Sequence, residues 1–128
     1  MRNFGPAQIE GASLSHRLAV SAVVAWKDFG KFSSRDGAIA AVQGEASTGL
    51  SDDECGDLID LTAAAYEAAL HSVPLNVRRR RFRVSPFASA KDIDQEACLQ
   101  AMRDVAPDLP HLVHDYLLGW VIYWHWVR

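Results

Sequence analysis

Apolar residues recur at steps of three and four along most of the chain, which is the period of an α-helix. The first such run, residues 12–29, has a regular stripe made of Leu14, Leu18, Ala22, Ala25 and Phe29. Further apolar residues lie on its other sides, namely Val20, Val23, Val24 and Trp26. A helix that is apolar on several sides is typical of the centre of a small protein. The pattern therefore predicts a central first helix.

Polar residues predict where the next two helices begin. Ser33 and Asp36 have the spacing of an N-terminal capping pair, and they precede a short alanine-rich stretch that ends near Ala46. Ser51 and Glu54 form a clearer pair, because the hydroxyl can accept from the amide of Glu54 while the carboxylate accepts from the amide of Ser51. We expect a second helix from the first pair and a third from the second.

The third helix, expected to extend to about His71, has two different faces. At about 100° per residue, four acids fall within one narrow sector, which we call the acidic ridge: Asp53, Asp57, Asp60 and Glu67. The opposite side is mostly apolar and consists of Leu58, Thr62, Ala65, Tyr66 and Ala69. This division predicts a helix that is buried on one side and wet on the other.

The last third of the chain predicts two more helices. Asp92 and Gln95 offer a capping pair for the fourth, which should end before Pro107. The fifth is expected to begin near Leu109 or Pro110 and to extend to the C-terminal residue. Its apolar stripe is rich in large rings and contains Val113, Tyr116, Trp120, Tyr123, Trp124 and Val127. Such a stripe is usually core, but the two tryptophans of the last turns, Trp124 and Trp126, also suit a partner surface. A homodimer through Trp120, Trp124 and Trp126 is the form that we expect.

These elements predict an all-α fold. A chain of 128 residues has the usual length of one domain, so residues 1–128 are expected to form a single-domain bundle of about five helices. Between helices three and four the pattern changes, and residues 75–91 are compatible with either a short strand or an irregular arginine-rich loop.

The arginine-rich connection contains five arginines within six positions, Arg78, Arg79, Arg80, Arg81 and Arg83. The formal net charge is −3, and eight acids without any lysine or arginine lie between Asp36 and Val77. Ion pairs between these arginines and the acidic ridge are therefore favoured. Anion binding is the alternative, and nucleic acid is its less favoured form because the neighbouring acids repel a polyanion.

Four residues have side chains suited to a metal ion. His111, His114 and Asp115 share one side of the fifth helix, and His16 of the first helix could complete the set. An H-E-x-x-H motif is missing from the sequence, which weakens this hypothesis of a metal-dependent enzyme or sensor. We expect no cofactor.

Other chemistry finds little support. Cys55 and Cys98 are isolated in apolar helices, which predicts buried and unreactive thiols in a reducing compartment. A nucleophile elbow and a phosphate-binding glycine loop are missing too, so an enzyme is the less favoured reading. Residues 18–26 begin too late for a signal peptide, and residues 116–124 are too few to span a bilayer. The sequence predicts a cytoplasmic protein without a membrane segment.

The acidic ridge is then the best candidate for a function. Exposed acids attract a basic partner, and Tyr66 or nearby apolar residues could anchor it. The sequence therefore predicts a small protein-interaction or inhibitor module, acting as an immunity-type protein acts on a toxin, with Asp53, Asp57, Asp60, Glu67 and Tyr66 at the surface that binds.

Overall fold

The computed structural model describes residues 6–44, 49–72 and 94–127, with side chains up to residue 123. These ranges contain five α-helices and no strand. The helices are α1 (Leu14–Phe29), α2 (Arg35–Gln43), α3 (Asp52–His71), α4 (Gln95–Val105) and α5 (His111–Val127). The predicted all-α class is confirmed, whereas the predicted arginine-rich connection lies outside the described residues.

The chain divides into two compact units, Met1–Ala63 (unit 1) and Ala64–Arg128 (unit 2). The division falls inside α3, so each unit contains part of that helix. In unit 1, α1 packs against α2, and in unit 2, α4 packs against α5. The assignment of residues 1–128 to one domain remains a prediction.

Helix α1 has well-formed ends and a wide buried surface. The Ser13 hydroxyl accepts from the amide of His16 at 3.2 Å, and Gly30 ends the helix in a left-handed conformation with φ 63°. Its buried residues lie on several sides of the helix, as the sequence predicts: Leu18, Ala19, Val20, Ala22, Val23 and Val24. The predicted stripe is only partly buried, because Leu14 and Ala25 are half-buried and Phe29 is 53% exposed. The first turn has no acid, so the sequence offers no reciprocal capping pair at Ser13.

Helix α2 begins one residue later than its predicted cap implies. Ser34, not Ser33, is the N-cap residue, and its side chain makes no capping hydrogen bond. Asp36 lies in the first turn, where a carboxylate interacts favourably with the helix dipole. The helix ends at Gln43, and residues 45–48, which include the predicted end at Ala46, lie outside the described residues.

The capping pair predicted for α3 is confirmed. The amide of Ser51 donates to Glu54 Oε1 at 2.9 Å, and the amide of Glu54 donates to Ser51 Oγ at 3.2 Å. The buried side of α3 agrees with the predicted apolar face except that Leu58 is only half-buried. It consists of Cys55, Ile59, Thr62, Ala63, Ala65, Tyr66 and Ala69.

In unit 2 the fourth helix has a different cap from the one predicted. The Asp94 carboxylate accepts from the amide of Ala97 at 3.0 Å, whereas Asp92 lies outside the described residues. The helix ends at Val105, before Pro107 as predicted. The carbonyl of Pro110 accepts from the amide of Val113 at 2.9 Å, which begins α5. The core contributed by the two helices contains Cys98, Met102, Val113, Leu117, Leu118 and Val121.

Both cysteines are free and fully buried, in agreement with the sequence. Burial raises the pKa of both thiols, because a thiolate would lose its hydration. Among the described helices, none is long and apolar enough to cross a membrane.

Candidate functional site

The acidic ridge is exposed over the first turns of α3. Asp53, Asp57 and Asp60 all face solvent, and α3 contains no lysine or arginine that could offset their charge within the helix. Glu67 is half-buried and belongs to unit 2, so it differs from the other three in surroundings. The negative surface of unit 1 therefore lies at the start of α3.

One ridge acid is engaged by a base that the sequence analysis missed. Arg35 Nε donates to Asp60 Oδ1 at 2.6 Å, and Arg35 Nη2 donates to Asp60 Oδ2 at 2.9 Å. These bonds hold the pKa of Asp60 below its usual value. Both side chains remain about half exposed, at 47% and 53%, so water screens their interaction.

Gly56 makes room for this ion pair. A Cβ atom at Gly56 would lie 3.3 Å from Arg35 Nη2, which is closer than an ordinary contact. The guanidinium of Arg35 therefore lies against the surface of α3 and reaches Asp60, one turn further along. Arg35 thus offsets part of the charge of Asp60, and its guanidinium also interacts electrostatically with Asp36 and Asp57. Asp53 is the exposed ridge acid of unit 1 that is not among these partners.

A groove of about 430 Å³ borders the ridge within unit 1. Three leucines supply its apolar surface, Leu50, Leu58 and Leu61, and two acids line it, Glu54 and Asp57. Its other side is formed by residues at the start of α1, which are Ser13, Ser15 and His16. We call this site the leucine groove. Asp57 belongs both to the groove and to the acidic ridge, so the two features form one continuous surface.

His16 adds a polar but uncharged group to the leucine groove. Its Nδ1 lies 2.8 Å from the hydroxyl of Ser13, and partial burial lowers the pKa of the imidazole. The ring is therefore neutral at pH 7. The neutral ring therefore adds no positive charge beside Glu54 and Asp57 in the groove.

Glu54 is held in place by the cap of α3. Its hydrogen bonds with the amide and the hydroxyl of Ser51 lower the pKa of its carboxyl. The carboxylate thus stays ionised to a lower pH than an ordinary glutamate does. The charge that Glu54 contributes to the leucine groove therefore persists to a lower pH than it would without the cap.

Tyr66 is not part of this surface. Its side chain is fully buried in unit 2, with 0% of its surface exposed, so it cannot anchor a partner at the ridge. The assignment of Tyr66 as a partner-binding residue is therefore corrected. An apolar contact for a partner is available instead from Leu50, Leu58 and Leu61.

The residues proposed for a metal ion have different environments. His114 is buried, and its Nε2 donates to the carbonyl of Ala106 at 3.1 Å, whereas His111 and Asp115 are exposed on α5. His16 belongs to unit 1. The described parts of the chain contain no group of three histidine, cysteine or carboxylate side chains able to hold a metal ion.

Two further predicted surfaces fall partly or wholly outside the described residues. Arg78, Arg79, Arg80, Arg81 and Arg83 all lie there, so their pairing with the ridge or with an anion stays a prediction. The side chain of Trp120 is half-buried, while those of Trp124 and Trp126 are not described. The homodimer surface therefore also remains a prediction.

Comparison with known proteins does not assign the chain to a family. No protein-family model, no curated protein and no solved structure matches it. The functional argument consequently depends on the geometry and charge of the leucine groove and the acidic ridge.

Proposed function

We propose that this chain is a small protein-interaction module of the inhibitor type, which binds a basic partner through the acidic ridge and the leucine groove. The observation that supports the proposal is the combination, in one groove, of three leucines with the carboxylates of Glu54 and Asp57. An interface needs an apolar contact for affinity and complementary charge for orientation and speed, and this surface offers both.

The position of Asp57 indicates that not all acids of the ridge serve to stabilise the start of α3. Asp52, Asp53 and Glu54 lie in the first turn of α3, where they stabilise the helix dipole. Asp57 lies beyond that turn, where the dipole effect has fallen off. It lines the groove and is exposed. A negative charge at this position interacts with Arg35 within the chain and, being exposed, is also available to attract a basic group from outside.

The groove also limits what the partner presents. About 430 Å³ accommodates one or two large apolar side chains but not a folded element. Lysine or arginine residues beside those side chains would meet Asp53 and Asp57. The expected ligand is therefore a short basic segment with one or two large apolar residues, and the module inhibits its partner by covering that segment.

Selection from a random peptide library tests the chemistry of the partner. Peptides that bind the full chain are expected to be enriched in lysine and arginine around one or two large apolar residues. Replacing both Asp53 and Asp57 by lysine should then lower the association rate of a selected peptide by about tenfold or more at low salt. Surface plasmon resonance at several salt concentrations measures this rate, and the difference should shrink as salt increases.

A matched variant distinguishes the effect of the ridge charges on association from the effect of the net charge of the chain. Asp104 and Asp108 are exposed residues of unit 2, and replacing both by lysine changes the net charge by the same amount. This control should leave the association rate within about twofold of the unmodified chain. Equal loss in both variants, or selected peptides without excess basic residues, would contradict the proposal.

The ion pair of Arg35 supplies a variant with the opposite effect. Replacing Arg35 by glutamine leaves Asp60 without its neutralising partner, so the ridge becomes more negative. The association rate of a selected basic peptide should rise by about two- to threefold at low salt. The double variant Arg35→Gln, Asp60→Asn restores the local charge and should return the rate to its original value. A rate that does not respond to Arg35→Gln would show that Asp60 lies outside the surface that steers the partner.

A further inference from the structure

A second groove, of about 590 Å³, lies in unit 2 on helix α5. Among the described residues it is lined by Asp115, Tyr116, Gly119, Trp120 and Tyr123. Asp115, Tyr116 and Tyr123 are at positions −4, −3 and +4 relative to Gly119, which are neighbouring positions on the helix surface. Trp120 is the next residue along the chain. Glycine contributes no side chain and forms the floor, while its neighbours form the walls. We call this site the aromatic groove.

The packing of the described residues does not explain why this position is a glycine. Its φ is not positive, and a Cβ atom built on Gly119 would have no heavy atom within 4 Å. Glycine is also the least favourable residue, apart from proline, in the interior of a helix. Alanine would therefore suit the helix better. What glycine provides here is the open floor of the groove.

Two of the lining rings contact each other. The rings of Trp120 and Tyr123 lie 5.5 Å apart at an angle of 83°, which is an edge-to-face arrangement. Tyr116 is half-buried and provides a third ring. The face of an aromatic ring has a negative electrostatic potential, and several faces around one space attract a cation, with tryptophan the best of them.

One of the described lining residues carries a negative charge. Asp115 is exposed at the edge of the groove, next to Gly119 along the helix. Rings alone accept many apolar groups, whereas rings with one carboxylate favour a group that is both apolar on its surface and positively charged. A quaternary ammonium has this combination, since methyl groups cover its charge and it is more weakly hydrated than a primary ammonium.

We propose that the aromatic groove binds a small quaternary ammonium ion, with its methyl groups against Trp120, Tyr123 and Tyr116 and its charge beside Asp115. This inference does not depend on the proposed function, because the leucine groove and the acidic-ridge residues Asp53 and Asp57 belong to unit 1 and the aromatic groove belongs to unit 2. The leucine groove binds a peptide, and the aromatic groove binds an ion.

Calorimetric titration of the full chain with choline tests the proposal. The matched probe is 3,3-dimethyl-1-butanol, in which a neutral carbon replaces the nitrogen without a change of shape. Choline should bind in the millimolar range or tighter, and the neutral alcohol should bind at least about tenfold more weakly. Absence of choline binding at millimolar concentrations, or equal binding of the two probes, would overturn the proposal.

Gly119→Ala separates binding from folding. The added methyl group fills the floor of the aromatic groove without a clash, so choline affinity should fall by about tenfold or more while the melting temperature stays equal or rises. Asp115→Asn should weaken choline binding by about three- to tenfold. Asp108→Asn removes an exposed carboxylate elsewhere in unit 2 and should have no effect. If Gly119→Ala leaves the affinity for choline unchanged, the ion binds outside the aromatic groove and the proposal is wrong.

The source of the ammonium group is decided by two further probes. A trimethyllysine peptide and phosphatidylcholine vesicles present the same head on a protein and on a membrane surface. If either binds while free choline does not, the small-ion proposal is wrong and the groove recognises that larger partner. If choline binds and competes with the peptide or vesicle in the unmodified chain but not in Gly119→Ala, the assignment of the groove is supported.

Discussion

Replacing Tyr66 by alanine is expected to lower the free energy of unfolding by about 4 kcal/mol. The side chain is among the largest that are fully buried, and its removal loses apolar burial and leaves a cavity that the surrounding helices fill only in part. Urea unfolding followed by circular dichroism measures the change. A large loss is expected because Tyr66 is a core residue and not part of the binding surface.

The matched control for Tyr66→Ala is the same replacement at Tyr123, whose side chain is 47% exposed. That variant should lose about 1 kcal/mol or less, since surface substitutions rarely cost more. At a temperature where Tyr66→Ala is still folded, its affinity for a selected basic peptide should equal that of the unmodified chain. A small loss of stability combined with a large loss of affinity would show that Tyr66 does contact the partner.

Replacing His114 by alanine is expected to lower the free energy of unfolding by about 2 to 3 kcal/mol. The ring is 2% exposed, and its Nε2 donates to the carbonyl of Ala106, just after the end of α4. The variant loses both the packing of the ring and the partner of a buried carbonyl. His114→Gln keeps a donor of similar reach and should recover about half of the loss.

His114 should also make stability depend on pH. Burial lowers the pKa of this imidazole, and Arg103 and His111 act in the same direction, while the bond to Ala106 and the charge of Asp115 act against them. The unfolded chain therefore takes up a proton at a higher pH than the folded chain does. Stability from this source is fully present above about pH 6.5, the ordinary histidine pKa, and decreases as the pH falls below it.

Comparison of variants identifies which histidine causes the pH dependence of stability. Partial burial also lowers the pKa of His16, so both rings contribute to the decrease below about pH 6.5. His114→Gln should flatten the dependence of the melting temperature on pH over this range, and His16→Asn should flatten it less. An unchanged profile in His114→Gln would mean that the folded protein protonates this ring as readily as the unfolded chain.

Local features of this fold could be predicted from the sequence because the two residues of each interaction lie a few positions apart in the chain. The capping pair of Ser51 and Glu54 depends on one helical turn, and the predicted hydrogen bonds are present. Where two serines or two aspartates lie close together, the pattern does not distinguish them, and the observed N-caps are Ser34 and Asp94.

Features that join distant residues could not be predicted in this way. Arg35 and Asp60 are 25 residues apart, and no periodicity relates them. The leucine groove likewise combines residues from the start of α1 with others around α3. For Tyr66 the helical period correctly indicated the apolar face of α3. The error came from assigning a residue of that face to a binding surface, since a side chain opposite exposed acids is normally buried.

The two buried thiols give each unit its own reporter of opening. Cys55 belongs to unit 1 and Cys98 to unit 2, and neither has any exposed surface. The sulfur of Cys98 also lies 3.5 Å from the carbonyl of Ala69. An alkylating reagent reacts with a thiolate that it can reach, and both requirements fail while the units are closed. The rate at which each cysteine is labelled therefore measures how often its own unit opens, without any engineered probe.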